Sequence, residues 1–214
     1  MEVAIAAVGV FAILVVSELL WRFKVIQDEI ARKFVHIGVG TFVAFWPYFM
    51  SWPEITSMSL AFLVVVAISR KRSVFHAVHG VKRQTRGEIF FPLGIGIAAL
   101  LTPEPLIFTA AILHLSLADG LAALVGKHFG IMHQYKIRSY TKTLAGTATF
   151  YLVSTIIITA TVLIGGNIIT WPLVPLLVWL PLAATVIENL AIAGTDNLFV
   201  PVLIIVVLQA SHVV

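Results

Sequence analysis

The sequence predicts an all-α fold: a polytopic integral membrane bundle of about eight transmembrane helices. Three observations predict it. Of the 214 residues, 60% are hydrophobic and only 11% charged, where a soluble domain carries about 25% charged residues. Mean hydropathy is +1.03, and the apolar residues fall into eight runs that together use most of the chain, at about 17–25 residues per span. The fourteen Lys and Arg residues all lie between alternate runs.

The runs lie near residues 3–21, 34–50, 54–69, 89–101, 105–125, 143–164, 170–187 and 198–213. The first belongs to "MEVAIAAVGVFAILVVSELLW", which lacks the positive n-region and small-residue cleavage site of a signal peptide and reads as a retained helix. Pro47 and Pro53 punctuate the turn between the second and third runs, and a basic stretch from Arg70 follows the third. The fourth is short and bears Gly94 and Gly96, so it is expected to be tilted, broken or partly inserted. Pro103 and Pro105 precede the fifth, which contains Asp119. The sixth follows Lys142, the seventh starts among Pro172 and Pro175, and the eighth follows Asp196.

Lys and Arg occupy positions 22, 24, 32 and 33, then 70, 71, 72, 82, 83 and 86, then 127, 136, 138 and 142. These are the connections after spans one, three and five, all on one side, and the opposite connections carry none. Positive-inside asymmetry makes that side cytoplasmic and the N-terminus external. The connection after span seven, "VIENLAIAGTDNLFVP", falls on the same side, but its charges are the acids Glu188 and Asp196. Residues 70–88 form the longest hydrophilic piece, too short for a core of its own. Residues 1–214 therefore read as one transmembrane domain without a soluble one, whose chemistry is built from helix ends and short loops. The absence of cysteine excludes disulfides and thiol chemistry. Cations this few, without a nucleic-acid fold, argue against nucleic acid as a partner.

Asp119 is the first candidate. A carboxylate in hydrocarbon is costly and should face the bundle interior or a wet cleft. Ala122, Ala123, Gly126 and Gly130 follow at helical spacing and make a stripe of small residues below it. The stripe is either a tight packing seam or a cleft where phosphate approaches the backbone and Asp119 offers a hard oxygen to Mg²⁺. "KIRSYTKTLAGTATF" gathers Lys136, Arg138, Ser139, Thr141, Lys142 and Thr143 at the start of span six, with Gly146 and Thr147 a turn later. Such a helix start is an anion site, or a cap by Ser139 or Thr141 with cations among lipid headgroups. Glu188 and Asp196, in "EN" and "DN" pairs, are further metal candidates, or the pairs merely cap and turn the chain. "ARKFVHIGVG" sets Arg32, Lys33 and His36 on one helical face, with His36 a base or hydrogen-bond donor near an interfacial hydroxyl. His76 and His79 form an H-x-x-H without the context of a metal site. "GLAALVGKH" is no P-loop, because five residues separate its glycines and His128 replaces Ser or Thr. "GIGIAA" at Gly94 follows no strand and is no dinucleotide fingerprint.

Five elements together resemble the CTP-dependent lipid-alcohol kinases, a family of dolichol and polyprenol kinases, phytol kinases and the yeast-type diacylglycerol kinase. They are "RKFVH" at 32–36, "GEIFFPLG" at 87–94, "LADGLAALVGKHFG" at 117–130, "TKTLAGT" at 141–147 and "ENLAIAGTDNLFVP" at 188–201. Ala145 departs from the family pattern, which has an acid before this glycine. The resemblance implies transfer of the γ-phosphoryl group of CTP to the hydroxyl of a membrane lipid alcohol: a polyprenol, a phytol-like alcohol or diacylglycerol. It implies Mg²⁺ on Asp119 with Glu188 or Asp196, and phosphates neutralised by Lys127, Lys136 and Lys142. Arg32, Lys33 and His36 would orient the acceptor hydroxyl or a phosphate, with Gly126, Gly130, Thr143, Gly146 and Asn197 around the nucleotide. The protein would sit in the cell membrane of a prokaryote or the ER membrane of a eukaryote, its site cytoplasmic. Two rivals remain at this stage. One is a CTP:phosphatidate cytidylyltransferase, whose late paired-acid signature is missing from "AGTDNLFVP". The other is a small transporter, for which no internal repeat is found.

Overall fold

The computed structural model describes residues 1–72, 87–130, 132–138, 140–169 and 171–212, leaving aside the side chains of 70–72. Among the described residues are eight α-helices: α1 (Glu2–Arg22), α2 (Asp28–Ala44), α3 (Trp52–Arg72), α4 (Gly87–Leu101), α5 (Pro105–Phe129), α6 (Leu144–Ile164), α7 (Val174–Leu190) and α8 (Asp196–Ser211). Five segments are long and apolar enough to cross a membrane: α1, Trp52–Ser69 of α3, α5, α6, and Trp171–Leu190 around α7. The apolar helices α4 and α8 are shorter. The chain is a multi-pass membrane protein, helical as the sequence predicts.

Three local features differ from the sequence reading. Helix α2 begins at Asp28, six residues before the apolar run at 34, so Glu29 joins the helix that carries Arg32, Lys33 and His36. Hydropathy misses this because the first turns are polar on one face, with Asp28 and Glu29 at the favoured positive end of the dipole. Helix α4 is continuous despite Pro92, and it is not broken at its glycines. A Cβ at Gly94 would strike the backbone carbonyl of Asn197 in α8, and one at Gly96 would lie 2.5 Å from Ser59 Oγ in α3. Close helix approach, not interruption, requires both glycines.

The third difference is a two-stranded antiparallel hairpin, β1 (Gln134–Ile137) and β2 (Tyr140–Thr143), with Gln134 opposite Thr143 and Ile137 opposite Tyr140. It replaces the helix start expected there. Aromatic and β-branched residues at Tyr135, Ile137, Tyr140, Thr141 and Thr143 suit a pleated ribbon, and Arg138 takes the left-handed conformation at the turn (φ 53°). Thr143, rather than Ser139 or Thr141, caps α6, its Oγ1 accepting from Gly146 N–H at 3.1 Å.

Helix α5 is the axis of the bundle, packed against α2, α6 and α8. A π-turn at His114–Ala118 interrupts it just before Asp119. One wider turn resets the phase of the residues beyond it, a device common at functional sites. Beyond the turn, small residues bring α6 close. A Cβ at Gly126 would lie 2.7 Å from Thr143 Oγ1, and one at Gly146 would lie 2.9 Å from the Ala122 carbonyl.

Candidate active site

At one end of the bundle a cavity of about 530 Å³ opens between α2, α5, the hairpin, α6 and the α7–α8 turn. Four acids line it, Glu29, Asp119, Glu188 and Asp196, together with four cations, Arg32, Lys33, Lys127 and Lys142. The small residues Ala122, Ala123, Gly126 and Gly146 form part of the wall, with the two glycines at the close contact of α5 and α6.

Asp119 is tied to α2. Lys33 Nζ donates to its Oδ2 at 2.5 Å, and His36 Nε2 lies 3.2 Å from the same oxygen. His36 Nε2 also meets the Leu115 carbonyl, within the π-turn, at 2.7 Å. A carbonyl only accepts, so Nε2 carries the proton, and in the neutral ring Nδ1 holds the lone pair. Lys33 is 4% exposed and Asp119 9%. Two charges so far from water persist only as a pair, and removing one strands the other.

Glu188, near the end of α7, is equally buried. Lys142 of β2 donates to its Oε1 and, at 3.2 Å, to its backbone carbonyl. Asp196, at the start of α8 and ahead of its apolar run, has no ion pair among the described residues. Burial first, then the charge of Asp119, raises its carboxyl from 3.8 to about 6, although Lys33 opposes this. Glu29 behaves in the opposite way. Burial would raise it, but the hydrogen bond and charge of Arg32 prevail and hold it below the ordinary carboxylate value.

Oxygens of Asp119, Glu188 and Asp196 all lie within 4.8 Å of one another. Asp119 and Glu188 each hold a lysine, whereas Asp196 has no ion pair among the described residues. Hard oxygen donors at this spacing fit a divalent cation such as Mg²⁺.

A polar network braces the hairpin. Tyr135 Oη donates to Asn189 Oδ1 at 2.6 Å and also bonds Thr147 Oγ1. Asn189 Nδ2 donates to the Thr185 carbonyl at 3.0 Å. The Ala193 N–H donates to Tyr140 Oη at 3.1 Å, joining the hairpin to the α7–α8 turn. Asn197 Nδ2 donates to the Gly87 carbonyl at 3.2 Å, and its buried Oδ1 has no partner among the described residues.

Most residues picked from the sequence meet here. Arg32, Lys33, Asp119, Gly126, Lys127, Lys142, Thr143, Gly146, Glu188, Asp196 and Asn197 all line the cavity. His36 stands behind Asp119 instead of in the wall. Two residues do not join. Lys136 is exposed on β1, because a strand and not a helix start sets its position. Gly130 ends α5, and Thr143 fills the space where its Cβ would stand. His76, His79 and Ser139 lie outside the described residues. Sequence reasoning missed Glu29, Gln134, Tyr135 and Tyr140. Only Glu29 left a signal, its helical spacing of three from Arg32.

The chain is 30% identical to a phytol kinase of Synechocystis sp. over 207 residues, spanning 93% of this chain and 86% of that protein. No family model matches the chain, and no solved structure matches it.

Proposed function

The chain belongs to the CTP-dependent lipid-alcohol kinase family of which phytol kinase is a member, and on that premise we propose its reaction in detail. It transfers the γ-phosphoryl group of CTP to the hydroxyl of a membrane lipid alcohol, at the cytoplasmic face, with Mg²⁺ held by Asp119, Glu188 and Asp196. The observation that carries this reading is the acid cluster, three carboxylates within 4.8 Å in a cavity that four cations share.

Phosphoryl transfer asks a protein chiefly for positioning and charge neutralisation. Mg²⁺, when bound, supplies neutralisation of phosphate oxygens. Lys33 and Lys142 are held at the cluster by Asp119 and Glu188, where they meet the phosphates as point charges. Arg32 and Lys127 add charge at the cavity wall. Gly126 and Gly146 let α5 and α6 pack closely against each other at the cavity wall, which sets Lys127 and Lys142 on the same space. His36, its Nε2 proton fixed by Leu115, offers Nδ1 as acceptor for the hydroxyl proton. The alcohol oxygen bonds to the γ-phosphorus as the bond to the β,γ-bridging oxygen breaks. CDP leaves, and the proton passes from His36 to water. The products are a lipid monophosphate and CDP.

The test is purified protein offered γ-labelled CTP or ATP with a panel of lipid alcohols. Labelled lipid phosphate and CDP are expected, with CTP preferred and activity lost on chelation of Mg²⁺. Pyrophosphate release with the cytidylyl group on the lipid identifies the cytidylyltransferase instead and refutes the kinase reading.

A further inference from the structure

Beside the polar cavity, and sharing Arg32 and Gly87 with it, lies a second recess of about 140 Å³. Val10 and Leu14 of α1 line it, as do Phe62 and Val66 of α3, with Val39 of α2 and Phe91 of α4. Apart from His36, one turn further along α2, its polar residues lie at one level: Arg32 in the second turn of α2, Ser69 near the end of α3, and Glu88 at the start of α4. From Arg32 to Val39 the recess follows α2 for seven residues, about 10 Å at 1.5 Å per residue, and becomes wholly apolar.

His36 belongs to both spaces. Its ring packs on Phe91 at 4.6 Å between centroids and lines the recess, while its Nε2 contacts Asp119 of the cavity. A hydroxyl on a chain lying in the recess therefore arrives at His36, next to the acid cluster.

We infer that this recess receives the apolar chain of the acceptor, and that it admits a single chain and not the two acyl chains of diacylglycerol. The inference rests on the kinase reading above. A dry apolar cavity of about 150 Å³ holds a benzene-sized guest, so the recess takes only the few carbons next to the hydroxyl. The remainder of the chain leaves past Val65, which is 52% exposed, into surrounding lipid. Diacylglycerol brings ester carbonyls and a second chain beside its hydroxyl. A recess of about 140 Å³ that takes only the few carbons next to the hydroxyl has no room for a second ester-linked chain at the same level. An isoprenoid alcohol has no polar atom beyond its hydroxyl.

The test is photolabelling of the full chain in nanodiscs by a diazirine-bearing isoprenoid alcohol, with adducts mapped by mass spectrometry and CDP formation followed in parallel. Adducts are expected at Leu14 and Val66, displaced by unlabelled isoprenoid alcohol and not by diacylglycerol. Val66→Trp should lower labelling about tenfold and raise KM for the alcohol equally, with KM for CTP unchanged, while Val64→Trp, on the exposed outer side of α3 and outside the recess, keeps both near the parent. Adducts spread over the lipid-facing sides of α6 and α7, or equal displacement by diacylglycerol, overturn the inference. CDP formation without labelling of the recess overturns the recess alone. Labelling of the recess without CDP formation supports it as a lipid-chain site and overturns the kinase reading instead.

Discussion

Helices α5 and α3 are both apolar enough to cross a membrane, yet they occupy opposite environments. Over the best 18-residue window, 72% of α5 is buried inside the protein, against 11% of α3. On its outer face α3 carries Leu60, Val64, Val65 and Ile68. In its lower half α5 carries Ser116, Asp119, Gly120, Ala122 and Gly126, all buried. Apolarity brings a helix into the bilayer, where lipid is as good a solvent for Leu as protein is. Small and polar residues then decide which helix takes the centre, since they allow close backbone contact and need partners that lipid lacks. The same residues build the cavity, so the centre of the fold and the candidate site coincide.

The comparison can be tested by substitutions of graded effect. The largest belongs to Asp119→Asn. Lys33 would lose its carboxylate, and breaking a buried pair costs about 3–5 kcal/mol, while phosphoryl transfer falls by on the order of 10³-fold or more. The double variant Lys33→Met with Asp119→Leu should regain the parent's unfolding temperature in detergent but no activity. Near-normal transfer by Asp119→Asn would remove the metal role. Next comes Gly126→Ala, whose Cβ would lie 2.7 Å from Thr143 Oγ1. Overpacking of this kind costs about 1–3 kcal/mol, read as a lowered unfolding temperature, and it displaces the residue that caps α6. Tyr135→Phe should cost less, about 0.5–1.5 kcal/mol for lost hydrogen bonds to Asn189 and Thr147, with a modest rise in KM for CTP. The smallest effect is expected at Val64→Ala on α3, within about 0.5 kcal/mol, because lipid fills the space. A loss there as large as at Gly126 would break the contrast between the two helices.

The helix order was legible because prolines and basic clusters bound the apolar runs. Pro53 lies in the first turn of α3, Pro105 opens α5, and Pro175 lies in the first turn of α7. The start of α2 was legible only from Arg32 onward, and the turn with Glu29 was not. Its first turns place Glu29, Arg32 and Lys33 at the cavity, and hydropathy reads polarity as loop whether the polar face meets bulk water or an internal cleft. The hairpin was hidden for a similar reason. Lys136, Arg138 and Lys142 made residues 134–143 look like a cationic cap, although the intervening residues are aromatic or β-branched. Asp119, Glu188 and Asp196 stood out as acids at the ends of apolar runs, on one side by the basic-residue pattern. Which lysine meets which acid could not be read. Lys33 and Asp119 are 86 residues apart, and Lys142 and Glu188 are 46. Nothing local chooses between them; the packing of α2 on α5, and of the hairpin against α7, makes the choice.

The ties between the hairpin and the last two helices also impose an order on biosynthesis. Lys142 leaves the ribosome 46 residues before Glu188, an interval of about 2–9 s at roughly 5–20 residues per second. Throughout that interval Lys142, destined for the wall of the polar cavity, lacks the carboxylate it pairs with, and Asp196 is later still. A nascent chain arrested before α7 can therefore thread its earlier helices into the bilayer and still lack two of the three clustered acids, so the cluster is complete only once α7 and the start of α8 have been made.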